Sequence, residues 1–597
     1  MNSKAKKLSI FTFALLSIGT FTGCIDNNYD LDGVDMTIGV GNGEFILPTC
    51  STDSIKLSEV LELNESETVV EKENGDYYYL QDGNTVNSTN TKVEKITVVK
   101  QKGVSQDFKF SVADYLPQSG KRTKATNIPV NNFNQEQVVY SFAYNGSMPN
   151  EVEKLVLANT NGKITINTSF SPAVKKFVPV ISELSLELPP FLTIKDVKTN
   201  QTYTQTGSKL IFKNINTNSN LQIEFTIANI DFTKESSKLL GSLTTDKRHL
   251  NMNANILMGI KIDNIVLGSS IEGADNCQIF TEMSIDNDLT IEKVKGNFNP
   301  SINLDNLGST DVTGIPDFLT NDGVVIDIDN PQIMLNLESD LDIPGFIGGT
   351  LTAVKNGQET TKITIPEVKI FANATSKICI CRDKSKVNQS AYTDVVEVRT
   401  LSKILNPIPD HINFAGHARA DNNVVADFEL GKKYTIKPSY RIEAPLAFGE
   451  DAKIVYTDSF DDFNDDIKDI DVADNTYLEF SGEVESKVPA YLNATAVAID
   501  INGNEMPESE VKVVVDGEIA ASTDGKTATT SSLKVTLKPS KSALKKLDGL
   551  KFTVSGSAKS EKNTASVVGQ TLNAKNHTLI IKNIKVKLVG QVIADLN

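Results

Sequence analysis

Residues 533–538 read Leu533-Lys534-Val535-Thr536-Leu537-Lys538, and this stretch decides the fold. Apolar and polar side chains alternate at every step, the period of a strand with one face on a core and the other in water. Ile584–Leu588 repeats the pattern, with Lys585 and Lys587 opposite Ile584, Val586 and Leu588. Toward the other end, Asn74-Gly75 and Asp82-Gly83 flank the stretch 76–81 with its Tyr77, Tyr78 and Tyr79. Asn-Gly and Asp-Gly favour left-handed backbone, so the spacing predicts a strand between two hairpins. Helical signals are few and short: 58–63, 236–240, 401–405 and 542–547. The body is predicted to be mainly β, an elongated string of β-sandwich-like modules with a few short helices.

The pattern also repeats at an offset of 145 residues. Asp317-Phe318 matches Asp462-Phe463, Asp329-Asn330 matches Asp474-Asn475, and Pro344 matches Pro489. One added residue later, Asn356-Gly357 aligns with Asn502-Gly503. Both copies thus enter a strand through Pro, leave it through Asn-Gly, and later run a short helix into another strand. A fainter third copy places Pro149 and Asn161-Gly162 in the same roles, with 236–240 running into 250–256 as the helix-to-strand step. At least two modules are therefore expected to be related by duplication. The predicted divisions are a signal peptide at 1–23, an acidic tether with a short helix at 24–65 and an N-terminal β segment at 66–134. Three modules follow, at 135–310, 311–455 and 456–597; ~145 residues are enough to bury a core.

Length and composition narrow the class. The chain has 597 residues, 39% hydrophobic and 23% charged, which excludes global disorder and a polytopic membrane protein. Five Cys are too few for a disulfide scaffold. The formal charge is −17, and no nucleic-acid partner is expected.

Residues 1–23 have the build of a secretory signal: Lys4, Lys6 and Lys7, then a mostly apolar stretch from Leu8 to Phe21. It ends in Phe21-Thr22-Gly23-Cys24, which resembles the lipobox of bacterial lipoproteins, with Phe21 where Leu is usual. The resemblance implies that Cys24 is acylated, becomes the first residue and anchors the chain in a membrane. One buried chain holds marginally and two or more hold stably. Six acids and no Lys or Arg lie between Ile25 and Ile55, resembling the acidic leaders of Bacteroidetes-type envelope lipoproteins. Signal, tether and modular body together are similar to the uncharacterised envelope lipoproteins of those bacteria. The expected location is the outer membrane, with the surface and periplasmic faces both open.

Catalytic motifs are missing from the sequence. It contains no His-Glu-x-x-His, no Gly-x-Ser-x-Gly and no phosphate-binding loop, and the Gly39-Val40-Gly41-Asn42-Gly43 run reads as a flexible turn. His249, His411, His417 and His577 read as exposed or satisfied histidines. Cys379 and Cys381 are too close for an unstrained bridge, and pairing with Cys50 or Cys277 leaves three connectivities open beside free thiols. Eight Asp lie between Asp458 and Asp474; of these Asp461, Asp462, Asp465 and Asp466 could hold calcium or form a solvated acidic turn. Residues 526–597 carry 13 Lys and 3 acids, a basic island in an acidic protein. Alternation puts Lys534, Lys538, Lys585 and Lys587 on solvent faces. They are read either as paired with acidic strands of their own module or as a basic face for an anionic polymer or another envelope protein.

The leading expectation is a non-enzymatic, lipid-anchored envelope protein presenting β modules for binding, adhesion or structural assembly. A carrier holding a glycan or apolar ligand inside a module is the second expectation, and a glycoside hydrolase the third. No cofactor is expected beyond the calcium already named.

Overall fold

The computed structural model describes residues 38–594 except 49–50, 53, 62, 64–65, 67, 84–87, 117–125, 247, 305–307, 316–318, 322, 463, 469 and 474. An N-terminal stretch holds β1 (Ile38–Pro48), β2 (Ile55–Lys56), β3 (Val69–Glu71), β4 (Tyr77–Asp82), β5 (Thr89–Thr91), β6 (Ile96–Lys100) and β7 (Val104–Ser105). A first unit follows with β8 (Phe108–Phe110), β9 (Thr126–Ser147), β10 (Val152–Phe170), β11 (Val180–Glu187), β12 (Leu192–Thr199), β13 (Tyr203–Thr206), β14 (Lys209–Asn216), β15 (Leu221–Asp231), β16 (Gly241–Thr245), β17 (His249–Leu267), β18 (Cys277–Ile285), β19 (Leu289–Ile291) and β20 (Lys293–Phe298). The second has β21 (Ser309–Asp311), β22 (Gln332–Ser339), β23 (Gly345–Lys355), β24 (Gln358–Ile370), β25 (Ala374–Cys381), β26 (Asp394–Glu397), β27 (His411–Ala420), β28 (Ala426–Glu429) and β29 (Tyr434–Pro445). The third has β30 (Lys453–Phe460), β31 (Ile470–Val472), β32 (Tyr477–Ser486), β33 (Tyr491–Asp500), β34 (Val511–Asp516), β35 (Glu518–Ile519), β36 (Thr529–Pro539), β37 (Leu547–Ser557) and β38 (Thr578–Ala594).

The protein is mainly β, and the three units share one strand order. In the second unit, β25-β22-β29 lie side by side in one sheet and β24-β23-β27-β21 in the other. In the third, β36-β32-β38 and β35-β33-β37-β30 take the same places. In the first, β17-β9-β6 and β15-β10-β18-β8 do so, with β6 supplied by the N-terminal stretch. Pro344 and Pro489 stand just before equivalent strands, β23 and β33. Asn356 (φ 51°) and Gly357 (φ 74°) make the two-residue turn from β23 to β24, and Gly503 (φ 77°) turns the chain after β33. Two successive positive φ values are the geometry Asn-Gly favours.

Alternation builds the cores. In the second unit Leu335 and Leu337 of β22, with Ile378 and Ile380 of β25, pack against Ile347 and Leu351 of β23 and Ile363 and Ile365 of β24. Each such side chain contributes about 1.5–3 kcal/mol on full burial. The units are also joined. β20 of the first unit pairs with β28 of the second, and Phe428 stacks between Phe298 and Tyr434 with both centroid distances 4.8 Å. Within the second unit Arg382 donates to Asp327 at 2.6 Å and Lys386 to Asp329 at 2.6 Å, and the same segment reaches the third unit where Val325 bridges Lys453 of β30. Gly449 sits against the Asp327 carboxylate, where a Cβ would come within 2.3 Å of Oδ2.

Several sequence expectations are corrected. Residues 24–65 are not all tether, because β1 and β2 pair with β38 at the far end of the chain. The 39–43 glycine run is part of β1, and its ladder slips between Val40 and Gly43. Glycine weakens a strand locally and tolerates such a bulge, which is why it reads as a turn. The segment 66–134 is not a unit of its own: β4 and β5 pair with β29, while β6 and β7 pair with β9. The N-terminal stretch therefore runs from the third unit past the second to the first. Asp82-Gly83 makes no hairpin, since β4 and β5 both lie along β29. The divisions at 134/135, 310/311 and 455/456 cut β9, β21 and β30.

The third copy also needs realignment. Its helix-to-strand step enters β17, which pairs with β9 and so stands where β25 and β36 stand. The strand equivalent to β27 and β37 is β18, beside β10. Asn161-Gly162 lies within β10, at a register shift against β15, and not at its end. Of the helical signals, 57–60 is α-helical (α1, Leu57–Val60), Leu401–Leu405 and Ala543–Lys545 are 3-10 turns, and 236–240 is only a turn. Pro172–Phe177 (α2) was missed, although Ser171 caps it by accepting from the Val174 N–H and Pro172 opens it.

Candidate functional site

The second unit does not close fully between its sheets. Leu335, Leu351, Ile365, Ile380, Ile404 and Ile412 line a cavity of about 60 Å³. The 3-10 turn Leu401–Leu405 covers one end, packing Leu401 and Ile404 inward. Half-buried Gln81, Val312, Gln332, Leu405 and Phe414 line the way outward. The polar groups at that end are engaged with one another. Tyr79 Oη donates to Gln81 Oε1, Gln81 Nε2 donates to the Asp311 carbonyl, and Cys379 Sγ lies 3.6 Å from Gln332 Oε1. Burial pushes the Tyr79 phenol up to about 12, so it stays a donor at any ordinary pH. Thr310, on β21, is the exception. Its side chain lines the cavity, only 3% of the residue is exposed, and Oγ1 has no hydrogen-bond partner among the described residues.

The structure brings together few of the residues singled out in the sequence. Cys24 and Cys50 lie outside the described residues. Cys277, Cys379 and Cys381 are buried free thiols, raised by burial to about 11, 12 and 11. The strand around Cys379 is buried on both faces, since Ile378 and Ile380 are as enclosed as the two cysteines. His411 and His417 lie along β27; His417 Nε2 is 3.6 Å from Glu367, which Arg419 also holds at 2.6 Å. His577 is buried, its Nδ1 accepting the Asn573 N–H at 2.9 Å, and burial lowers it to about 4.

Among the described side chains, the acidic run is not drawn together around one point. Asp465 pairs with Lys468 at 2.8 Å, Asp461 and Asp462 are exposed, and the Asp466 side chain lies outside the described residues. Among the described residues no three His, Cys, Asp or Glu side chains converge as ligands. The lysines of the last unit share their face with acids. β32 runs between β36 and β38, placing Glu479 3.4 Å from Lys534 and Glu485 2.7 Å from Lys582. Lys538 lies over the Tyr477 ring, Lys585 is opposite Ser481 and Lys587 opposite Glu479. The face is mixed in sign. The cavity itself was not singled out from the sequence; most of its wall is ordinary core alternation, from which Thr310, Gln81 and Gln332 depart.

No family model matches the chain, and no curated protein matches it significantly. Among solved structures it is similar to a protein of Parabacteroides distasonis described as secreted, with TM-score 0.31 and 18% identity over 50% of this chain and 83% of that one. It is also similar to tripeptidyl peptidase 2, with TM-score 0.14 and 9% identity over 78% of this chain and 35% of that one. VP2 of infectious bursal disease virus gives TM-score 0.14 and 8% identity over 86% and 89% of the two chains. Scores this low transfer nothing, and the reading of this chain rests on its own residues.

Proposed function

We propose that the chain is a lipid-anchored, non-enzymatic protein of the bacterial cell envelope, presenting three β-sandwich units for binding or assembly. The path of the chain carries the reading. Ile38, where β1 joins the sheet of the third unit, comes fourteen residues after Cys24. At ~3.3–3.6 Å per residue they reach at most about 50 Å, so acylated Cys24 would hold the third unit close to the membrane. The N-terminal stretch then runs along the second unit to the first. No helix among the described residues is long and apolar enough to cross a bilayer. Cys24→Ala in the native host tests the anchor. The variant should move to the soluble fraction, and retention on membranes after a carbonate wash refutes the assignment.

A further inference from the structure

The cavity of the second unit lies apart from the anchor and from the reading built on it. We infer that it takes a short aliphatic chain bearing one hydrogen-bonding end, of the alcohol kind, with that end against Thr310 Oγ1.

Two observations lead there. The first is the mismatch between room and polarity. A water needs ~10–15 Å³ of such space and two to four polar partners, so about 60 Å³ has room for roughly four waters. The wall offers them little. Leu335, Leu351, Ile365, Ile380 and Ile412 supply only hydrocarbon, and Tyr79 and Gln81 are hydrogen-bonded to each other and to Asp311. A space of this kind favours an apolar molecule over water. The second is Thr310. A buried hydroxyl left without a partner is costly, and nearly all such groups in folded proteins are satisfied. Its Oγ1 can both donate to and accept from a ligand hydroxyl. The occupant is thus apolar along its body and polar at one point. The size sets the class: the cavity is too small for a sugar ring or a drug-sized ligand, which needs ~300 Å³ or more.

The test uses the whole mature chain and two probes with equal numbers of heavy atoms, ethanol and propane. Each is titrated while the Leu and Ile methyl resonances are followed by NMR. Saturable shifts confined to Leu335, Leu351, Ile365, Ile380 and Ile412 are expected with both. Thr310→Val should weaken ethanol about fivefold, the worth of one net hydrogen bond, and leave propane unchanged. Leu351→Phe fills the space and should abolish both titrations; Ile412→Phe serves if that variant does not fold. Absence of saturable shifts in the unaltered protein overturns the inference, as does undiminished binding in the filled variant. Equal weakening of both probes by Thr310→Val overturns the role of the hydroxyl.

Discussion

Phe45 lies directly opposite Leu588 in one antiparallel ladder, so strands from the two ends of the chain complete a single sheet. β1 is the edge strand of that sheet, and of two successive positions in it one N–H faces the ladder, so Pro at both 45 and 46 removes a ladder donor. The double variant Phe45→Pro, Ile46→Pro should destabilise the third unit by about 1–2 kcal/mol, the worth of one or two backbone hydrogen bonds. Hydrogen exchange read strand by strand should quicken in β38 and leave β10 and β17 unchanged. Equal quickening throughout would mean that β1 matters to the whole chain rather than to its own sheet.

His577 makes the same region sensitive to acid. Its residue sits beside Asn573, whose side chain donates to Asp76 Oδ1 at 2.9 Å and so ties the N-terminal stretch to the third unit. Folded, the imidazole titrates near 4 rather than its ordinary 6.5, chiefly through burial, with Asp76 opposing. Between those values the unfolded chain binds more protons than the folded one, so stability falls as pH drops through that window. Above 6.5 the contribution is complete, and below 4 it is lost. The full amplitude is about 3 kcal/mol at ~1.4 kcal/mol per pH unit. Chemical denaturation from pH 7 to pH 4 should show the slope, and His577→Gln should remove that part of it.

The joint between the second and third units depends on Asp327. Beyond Arg382, its carboxylate accepts the Asp451 N–H at 3.1 Å. Arg382→Ala would leave a buried carboxylate with that one donor. Arg382 keeps 24% of its side chain exposed, so the loss should be about 2–3 kcal/mol, below the ~3–5 of a fully buried pair. Asp327→Asn in the same chain should recover part of it in urea unfolding. No recovery would assign the loss to the packing of the Arg stem.

The four lysines of the last unit should not act as an anion-binding face. Glu479, 3.4 Å from Lys534 and opposite Lys587, offsets the field of Lys534, Lys538, Lys585 and Lys587, and exposed pairs of this kind contribute only ~0.2–1 kcal/mol each. The unaltered protein and a Lys534→Gln, Lys538→Gln, Lys585→Gln, Lys587→Gln variant should pass an anionic polysaccharide column alike at low salt. Retention of the unaltered protein alone would restore the basic face.

What could be read in advance follows from range. Alternation is local, so Leu533–Leu537 and His411–Ala420 show themselves within a few residues. Duplication is legible too, because Pro344 and Pro489 recur with their turns. Pairing partners are another matter. Nothing in Thr89–Thr91 or Val104–Ser105 says that one lies along β29 and the other along β9, since strands of two or three residues carry no period to read. The cavity was hidden for a related reason: a gap between sheets arises from how two correct patterns meet, not from either one.

The opposition of Phe45 and Leu588 also sets the order in which the protein can be finished. A chain made and exported from its N-terminus releases β1 first, yet the strand that β1 pairs with is the last described strand to emerge. Until then β1 waits as an unpaired edge, a liability for association with other chains. Contacts so distant in sequence also form slowly. The first unit, whose paired strands all lie between β6 and β28, can close while the rest is still being made. Completion of the third unit is therefore a seal on the finished polypeptide, and a product stopped before residue 578 would expose both β1 and the flank of β32.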